Sequence, residues 1–278
     1  MNFDAYAGTI RDARLEDVAH VLEWSMKGIV NRGPRMRRYG ETLAVDVGGR
    51  TAVWVGQDQA SDAIYFEGKG ETTPSLVRSL RKHFVGHTVS RGDVCEDYDA
   101  EGAHASLIGF VRRHKGPKVK GGYVALPDNP EDGSTWGAGA RGGVSYVRVY
   151  EAGKHPDRLH LARPNWARLE LESRPHYAKD KLAAASMSPT EFFGFSAWTH
   201  RLGEALCQIE IPRYEQPARE WNFDKTTTYL ARTFKRHWEE MLSDFGAWQC
   251  IGRELEAVWK ADEEAAAALA RRSSQVTK

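Results

Sequence analysis

Three cysteines in 278 residues, Cys95, Cys207 and Cys250, form no C-x-x-C spacing and are odd in number. That excludes a disulfide framework and a cysteine-based structural zinc site as the basis of the fold. Charges interrupt every apolar stretch, so no run approaches the ~20 residues needed to span a bilayer. The opening segment Met1-Asn2-Phe3-Asp4-Ala5-Tyr6 has neither the basic start nor the apolar stretch of a secretory leader, and a soluble, cytoplasmic protein is expected. No G-x-x-x-x-G-K-[ST] occurs, so no motor of the P-loop type is built in. No His-x-His pair exists, and His160 stands alone in Leu159-His160-Leu161. There is no internal sequence repeat and no long low-complexity tract. Nor is there an excess of one charge: 39 Lys+Arg face 38 Asp+Glu, which leaves no global basic field.

Hydrophobic residues at 41% and aromatics at 10% are enough for a real core. The charge is unevenly distributed. Arg32, Arg35, Arg37 and Arg38 cluster early; Arg78, Arg81, Lys82 and His83 follow; Arg112, Arg113, His114, Lys115, Lys118 and Lys120 form a third group. Any one such cluster is commonly a solvated face. Interleaved with concentrated acids, they suit a site that needs both phosphate clamps and a cation.

The apolar spacing of Leu15, Val18, Leu22 and Met26 predicts a helix, with Asp12 as its cap. Thr42 to Val55 reads as a hairpin around Gly48-Gly49, and Ala63 to Phe66 as a strand ending at Gly68 and Gly70. Thr73-Pro74 opens a helix striped by Leu76, Val77, Leu80 and Phe84. A strand near Thr88 to Val94 and a helix near Ala103 to His114 come next. Gly116 to Gly143 reads as one long Gly/Pro/Asp-rich loop. Strands at Ser145 to Glu151 and Ala167 to Glu172 precede a helix at Ala178 to Met187. Ser188-Pro189-Thr190-Glu191 is a capping box opening another helix. Tyr229 to Leu269 reads as helical, with Gly246 and Gly252 as points where it can divide. Strands and helices mix without strict alternation, so the fold class is α+β: an antiparallel sheet with flanking helices and a long C-terminal helical segment. The expected division is 1–215 and a C-terminal helical extension at 216–278.

The chemistry concentrates on three strands. In Arg168-Leu169-Glu170-Leu171-Glu172, alternation puts Arg168, Glu170 and Glu172 on one face and the apolar residues on the other. Two carboxylates side by side call for a cation or an arginine between them, as in an oxygen-ligated Mg²⁺ or Mn²⁺ site; an amphipathic strand laced with salt bridges has the same pattern. In Val89-Ser90-Arg91-Gly92-Asp93, Arg91 and Asp93 share a face, with Glu96, Asp97 and Asp99 following. Pairing of this strand with Ala167 to Glu172 would unite Asp93, Glu170 and Glu172. In Tyr146-Val147-Arg148-Val149-Tyr150, the two tyrosines and Arg148 face away from the core. A tyrosine aimed at a metal-bound phosphate is a competent nucleophile, although a tyrosine packed on a sheet is the commoner state.

In this order the segments resemble the trans-acting replication initiation factor family of rolling-circle plasmids, filamentous phages and some conjugative elements. The pattern runs from a glycine-ended strand, Tyr65-Phe66-Glu67-Gly68, through T-R-x-D at Val89 to Asp93, to a G-x-R loop between Trp136 and Arg141. It continues as R-x-Y-x-K at Arg148-Val149-Tyr150-Glu151 and closes as R-x-E-x-x-x-R at Arg168, Glu170 and Arg174, with Ala178 nearby. It covers roughly residues 1–215. The resemblance implies a relaxase-like fold with carboxylates replacing histidine ligands. It implies Asp93 and Glu170 as metal ligands, to which strand geometry adds Glu172, and Tyr150 as nucleophile, with Tyr146 and Tyr177 as fallbacks. Arg148 and Arg168 would hold phosphate or orient the acids. Arg91, Arg112, Arg113, Lys115, Lys118, Lys120 and Arg141 are the expected DNA contacts. One position departs from the pattern: Ala152 stands where lysine is expected, with Lys154 two residues later.

The function so implied is nicking of one strand at a replication origin by metal-assisted attack of a tyrosine. A 5′-phosphotyrosine intermediate forms and the strand is later rejoined. The expected partners are double-stranded or extruded single-stranded origin DNA, a host helicase and polymerase, and a second copy of the chain. Two alternatives stay open: a DNA-binding protein of the same fold without cleavage, and a metal nuclease using water.

Overall fold

The computed structural model describes residues 1–34, 38–125, 132–208, 211, 227, 235–253, 256–257 and 260. Arg35, Arg37 and much of the expected helical segment Tyr229 to Leu269 lie outside them. The chain forms two compact units, Met1–Gln216 and Pro217–Lys278. In the second, one helix spans Lys235–Phe245, called α6 below.

The first unit is built on a ten-stranded antiparallel sheet in the order β2-β3-β4-β5-β1-β6-β10-β9-β8-β7. Its strands are β1 (Asn2–Ile10), β2 (Ile29–Arg32), β3 (Tyr39–Val47), β4 (Arg50–Asp58), β5 (Ile64–Lys69), β6 (Thr88–Asp99), β7 (Gly121–Ala125), β8 (Thr135–Gly139), β9 (Ser145–Tyr150) and β10 (Trp166–Ser173). Its helices are α1 (Leu15–Met26), α2 (Thr73–His83), α3 (Ala103–His114), α4 (Ala178–Ala183) and α5 (Ala197–Cys207). The order contains a duplication. A strand, a helix and four more strands run from β1 to β5 and again from β6 to β10, and in both halves the first strand pairs with the last. The halves join through the antiparallel pair β1–β6. The sequence shows no repeat, so the duplication lies in topology alone.

Cross-strand partners share a face, so register assigns the two sides of the sheet. One side carries Phe3, Tyr6, Val53, Val55, Phe66, Val94, Val147, Val149, Leu169 and Leu171, all buried under the helices. Helix α1 covers this side with Leu15, Val18 and Leu22, α2 with Leu76 and Leu80, and α3 with Leu107, Ile108 and Val111. Full burial of each large apolar side chain contributes about 1.5–3 kcal/mol. The other side is polar and carries the chemistry.

Local sequence accounts for most boundaries. Gly48 and Gly49 both adopt positive φ, 60° and 77°, as a tight two-residue hairpin turn requires. The expectations for α2 and α3 match the observed bounds, and the expected helix from Leu15 to Met26 forms. Its cap does not: Arg14 holds the N-cap position and Asp12 sits in a turn at φ 56°. The Glu191 carboxylate accepts from the Ser188 N–H at 2.6 Å and its hydroxyl at 2.7 Å, but the turn it opens, Thr190–Phe195, is 3-10. The helix follows one residue later, capped by Ser196. Helix α4 stops at Ala183, short of the expected Met187. Strand β6 runs on to Asp99, so Glu96, Asp97 and Asp99 are strand residues. The expected loop from Gly116 to Gly143 contains β7 and β8. Two strands, β1 and β2, have no counterpart in the sequence reading.

Candidate active site on the polar face

Strand β10 is flanked by β6 and β9, and this triplet assembles the acidic segments. Glu172 pairs with Asp93 of β6 and Tyr146 of β9; Glu170 pairs with Cys95 and Arg148; Arg168 pairs with Asp97 and Tyr150. All of these side chains therefore stand on the polar face, as strand alternation implied. A register shift in β1 between Phe3 and Ala5 adds a fifth carboxylate. Phe3 faces the core and Ala5 lies beside Asp93, so the extra residue, Asp4, is turned onto the polar face.

A cleft of about 410 Å³ opens here, lined by Asp4, Lys69, Arg91, Asp93, Arg148, Tyr150, His155, Arg158 and Glu170 among others. Its floor is a diagonal contact: the Tyr150 hydroxyl donates to Oε2 of Glu170 at 3.1 Å. Arg148 Nη2 donates to the other oxygen, Oε1. Asp93 is gripped by Arg91, Nε to Oδ1 at 2.8 Å and Nη2 to Oδ2 at 2.5 Å. Burial pushes the Asp93 carboxyl up to about 6; Arg91 opposes this, and the nearby Glu170 and Glu172 add to it. Burial also raises the Tyr150 phenol well above its ordinary value, with Glu170 adding and Arg168 and Arg158 opposing. Tyr150 is thus a protonated donor at neutral pH, and the Glu170 carboxylate is placed to take its proton.

Two expected members stand apart from the cleft. Glu172 Oε1 accepts from Arg174 Nε at 2.7 Å, and its other oxygen lies 3.4 Å from Arg91. Burial raises its carboxyl, but Arg174 and Arg91 outweigh burial and hold it below the ordinary range. It does not line the cleft, so the expected cluster of three carboxylates is reduced to the pair Asp93 and Glu170. Among the described residues, no three His, Cys, Asp or Glu side chains converge to hold a metal. Arg168 is committed elsewhere. Its guanidinium binds both oxygens of Asp97, at 2.7 and 2.9 Å, and Asp4 at 2.7 Å, so it orients these acids and neither Asp93 nor Glu170.

The expected DNA contacts divide between the two faces. Arg91 lines the cleft. Arg112 lies over the Trp136 ring at 5.6 Å, and Trp136 pairs with Val149 on the core side, so Arg112 belongs to the helical face opposite the cleft. Arg113 neighbours it on α3, and Lys115 is tied to the carbonyl of Val119 at 2.5 Å. Lys118 and Lys120 are exposed beside β7, and Arg141 is exposed at the β8–β9 turn. None of these six lines the cleft. Of the fallback tyrosines, Tyr146 is buried with its hydroxyl against Gly137, and Tyr177 precedes α4; neither lines the cleft. Lys154, the displaced lysine, pairs with Glu151 at 2.8 Å.

Sequence reasoning missed Asp4, Lys69, His155 and Arg158. Lys69 ends the glycine-marked strand β5, a signal that was present; Asp4 depends on a bulge, and Arg158 on a 3-10 turn at Pro156–Leu161.

No family model and no curated protein matches the chain. Among solved structures it is similar to a rolling-circle replication initiator protein from Geobacillus stearothermophilus. The likeness has 18% identity and a TM-score of 0.48, and spans 80% of this chain and 89% of that one. Among the described residues no helix is long and apolar enough to cross a membrane.

Proposed function

We propose that the chain is a DNA strand-nicking and joining enzyme that initiates rolling-circle replication, with Tyr150 as its nucleophile. One observation carries the reading: a tyrosine hydroxyl donating to a buried carboxylate, Tyr150 to Glu170 at 3.1 Å, inside a cleft walled by cations. The motif succession of the sequence supports it independently.

In the proposed reaction the Tyr150 Oη attacks the phosphorus of one phosphodiester. The Oη–P bond forms, the P–O3′ bond breaks, and the Tyr150 proton passes to Glu170. The departing O3′ takes a proton from water, leaving a 5′-phosphotyrosine and a free 3′-hydroxyl. Rejoining is the reverse. Lys69, Arg91, Arg148 and Arg158 hold the anionic strand and balance the charge that grows on the phosphoryl oxygens. Burial keeps the phenol protonated at rest, so the nucleophile is generated only when substrate is seated.

Asp93 and Glu170 fit a hard divalent cation. Both carboxylates line one cleft, and burial raises the Asp93 carboxyl, with the nearby Glu170 and Glu172 adding a smaller push in the same direction. Mg²⁺ characteristically uses one or two carboxylates and completes its shell with water and substrate phosphate. When bound, Mg²⁺ or Mn²⁺ supplies Lewis-acid charge at the phosphoryl oxygens and lowers the cost of the phenolate.

The test is incubation with labelled supercoiled and single-stranded origin DNA, with Mg²⁺ or Mn²⁺ and with chelator. A metal-dependent, denaturation-resistant adduct that vanishes in Tyr150→Phe is expected. Adduct persisting in that variant overturns the nucleophile, and cleavage without adduct assigns the attack to water. A second reading, binding without cleavage, is favoured by the pairing of each acid with its own arginine. Binding with no cleavage under any condition would establish it.

A further inference from the structure

A second cleft, about 700 Å³, adjoins the first on the polar face. The two share Asp4, Lys69 and Arg158 in their walls, so they form one continuous track. The second is bounded by the β3–β4 hairpin at Gly48, Arg50 and Thr51, by the turn Gly70–Thr72, and by Trp166 and Arg168. Four cations face it, Arg50, Lys69, Arg158 and Arg168, against the two acids Asp4 and Glu71. Asp4 is bound to Arg168 and Lys69 to Glu67, each at 2.7 Å, so Arg50 and Arg158 bring the uncommitted positive charge of the cleft, against Glu71.

Arg158 stands at the waist between the clefts. Its guanidinium lies over the Trp166 ring at 4.9 Å, a ring also approached by Arg163 at 4.4 Å and Arg168 at 5.5 Å. Its Nη1 is buried and has no hydrogen-bond partner among the described residues. A buried guanidinium N–H left unmatched is costly, and a fixed, stacked guanidinium has a geometry suited to bidentate phosphate recognition. Arg158 lines both clefts and is only partly covered, so its guanidinium is within reach of an anion bound at the waist.

We propose that the second cleft is a phosphate subsite for the DNA strand next to the scissile bond. Arg158 contacts a backbone phosphate at the waist, and Lys69 and Arg50 contact the next along the track. This rests on the reading of the chain as a DNA-nicking enzyme and names the residues that hold the flanking strand. The subsite reads no sequence, because each contact is to backbone.

Binding of fluorescein-labelled dT₂₀ by the full chain, in chelator so that no cleavage occurs, tests it through salt dependence. Each phosphate contact on a single strand contributes a slope of ~0.7 in log K against log salt. Arg158→Ala and Arg50→Ala should each reduce the slope by about that amount and weaken binding at low salt about tenfold, whereas Arg113→Ala should leave the slope unchanged. Arg50 is exposed, so its variant carries no packing penalty, and Arg158→Lys should restore the slope. Unchanged slopes in both alanine variants, or weaker binding without a change of slope, overturn the subsite. If the wild-type chain fails to bind dT₂₀, the enzyme reading and the subsite fall together. Binding with unaltered slopes removes the subsite alone.

Discussion

The hydroxyl of Tyr150 meets Glu170, although its direct partner across the β9–β10 ladder is Arg168. Asp97 and Asp4 draw the Arg168 guanidinium away, which leaves the phenol a carboxylate as its nearest polar neighbour. That displacement turns a half-buried sheet tyrosine into a donor aimed at a carboxylate.

Glu170→Gln keeps the shape and the contact with Tyr150 but removes the negative charge. Nicking in a single turnover should fall by about 10²–10⁴-fold, while single-strand affinity stays within a few-fold. Folding stability should drop by about 1–3 kcal/mol, below the full figure for a sealed pair, because the Arg148 side chain is 28% exposed. Rates from a quenched-flow nicking assay decide it, and an unchanged rate removes Glu170 from the mechanism.

Added metal should stabilise the fold through Asp93. At a concentration of Mn²⁺ about 100 times its Kd, the gain is about 2.7 kcal/mol, or roughly 5–10 °C in Tm for a unit of this size. Scanning calorimetry of wild type and Asp93→Asn, with and without Mn²⁺, measures this. An equal rise in both proteins would place the ion elsewhere.

Asp93 and Asp97 lie on one strand and shift in opposite directions. With its folded value near 6, Asp93 holds its proton in the folded state where the unfolded chain releases it. Its contribution makes stability fall as pH rises from about 4 to about 6, and level off above. Burial raises Asp97, but the hydrogen bonds from Arg168 and Trp166 prevail and hold it low. Its contribution is therefore present above pH 3.8 and lost below that value. Urea midpoints in chelator at pH 4.5 and 7.0 should show a decline in wild type that Asp93→Asn flattens and Asp97→Asn retains. A wild-type midpoint that climbs across this window contradicts the assignment.

Gly92 lies under Phe192: an added Cβ would come within 2.3 Å of the ring. Gly92→Ala should cost about 1–3 kcal/mol by overpacking. Phe192→Leu in the same chain should recover part of that loss, seen as a positive coupling in a double-mutant cycle by urea denaturation. Additive losses would mean that the ring is free to shift.

The alternation of Arg168, Glu170 and Glu172 with Leu169 and Leu171 was legible because one face must be buried, and the structure obeys it. What sequence could not supply was register. Only the pairing of Arg168 with Asp97 shows which acid each arginine serves, and that depends on strands about seventy residues apart. Strand β1 escaped notice because its centre is built from Ala5, Ala7 and Gly8, which carry little hydrophobic signal. Their smallness is required: a Cβ on Gly8 would lie 1.9 Å from the Thr88 carbonyl oxygen. Strand β8 is hidden for the same reason, since Gly137 makes room for the Tyr146 hydroxyl. The two halves share a topology but not a chemistry. The polar face of the first carries an aromatic cluster of Tyr39, Trp54 and Tyr65 where the second carries acids and Tyr150. That divergence erased the duplication from the sequence.

The central position of β1 sets a schedule for synthesis. It leaves the ribosome before either neighbour, and its partners β5 and β6 are translated some sixty to ninety residues later. Until β5 is made both of its edges are unpaired, one edge stays so until β6 follows, and the sheet cannot close from the N-terminal side. Such non-local pairing slows folding, and unpaired edges invite association with other chains. During that interval a nascent chain depends on chaperones or on low concentration, and the vulnerable species is the one ending before Thr88.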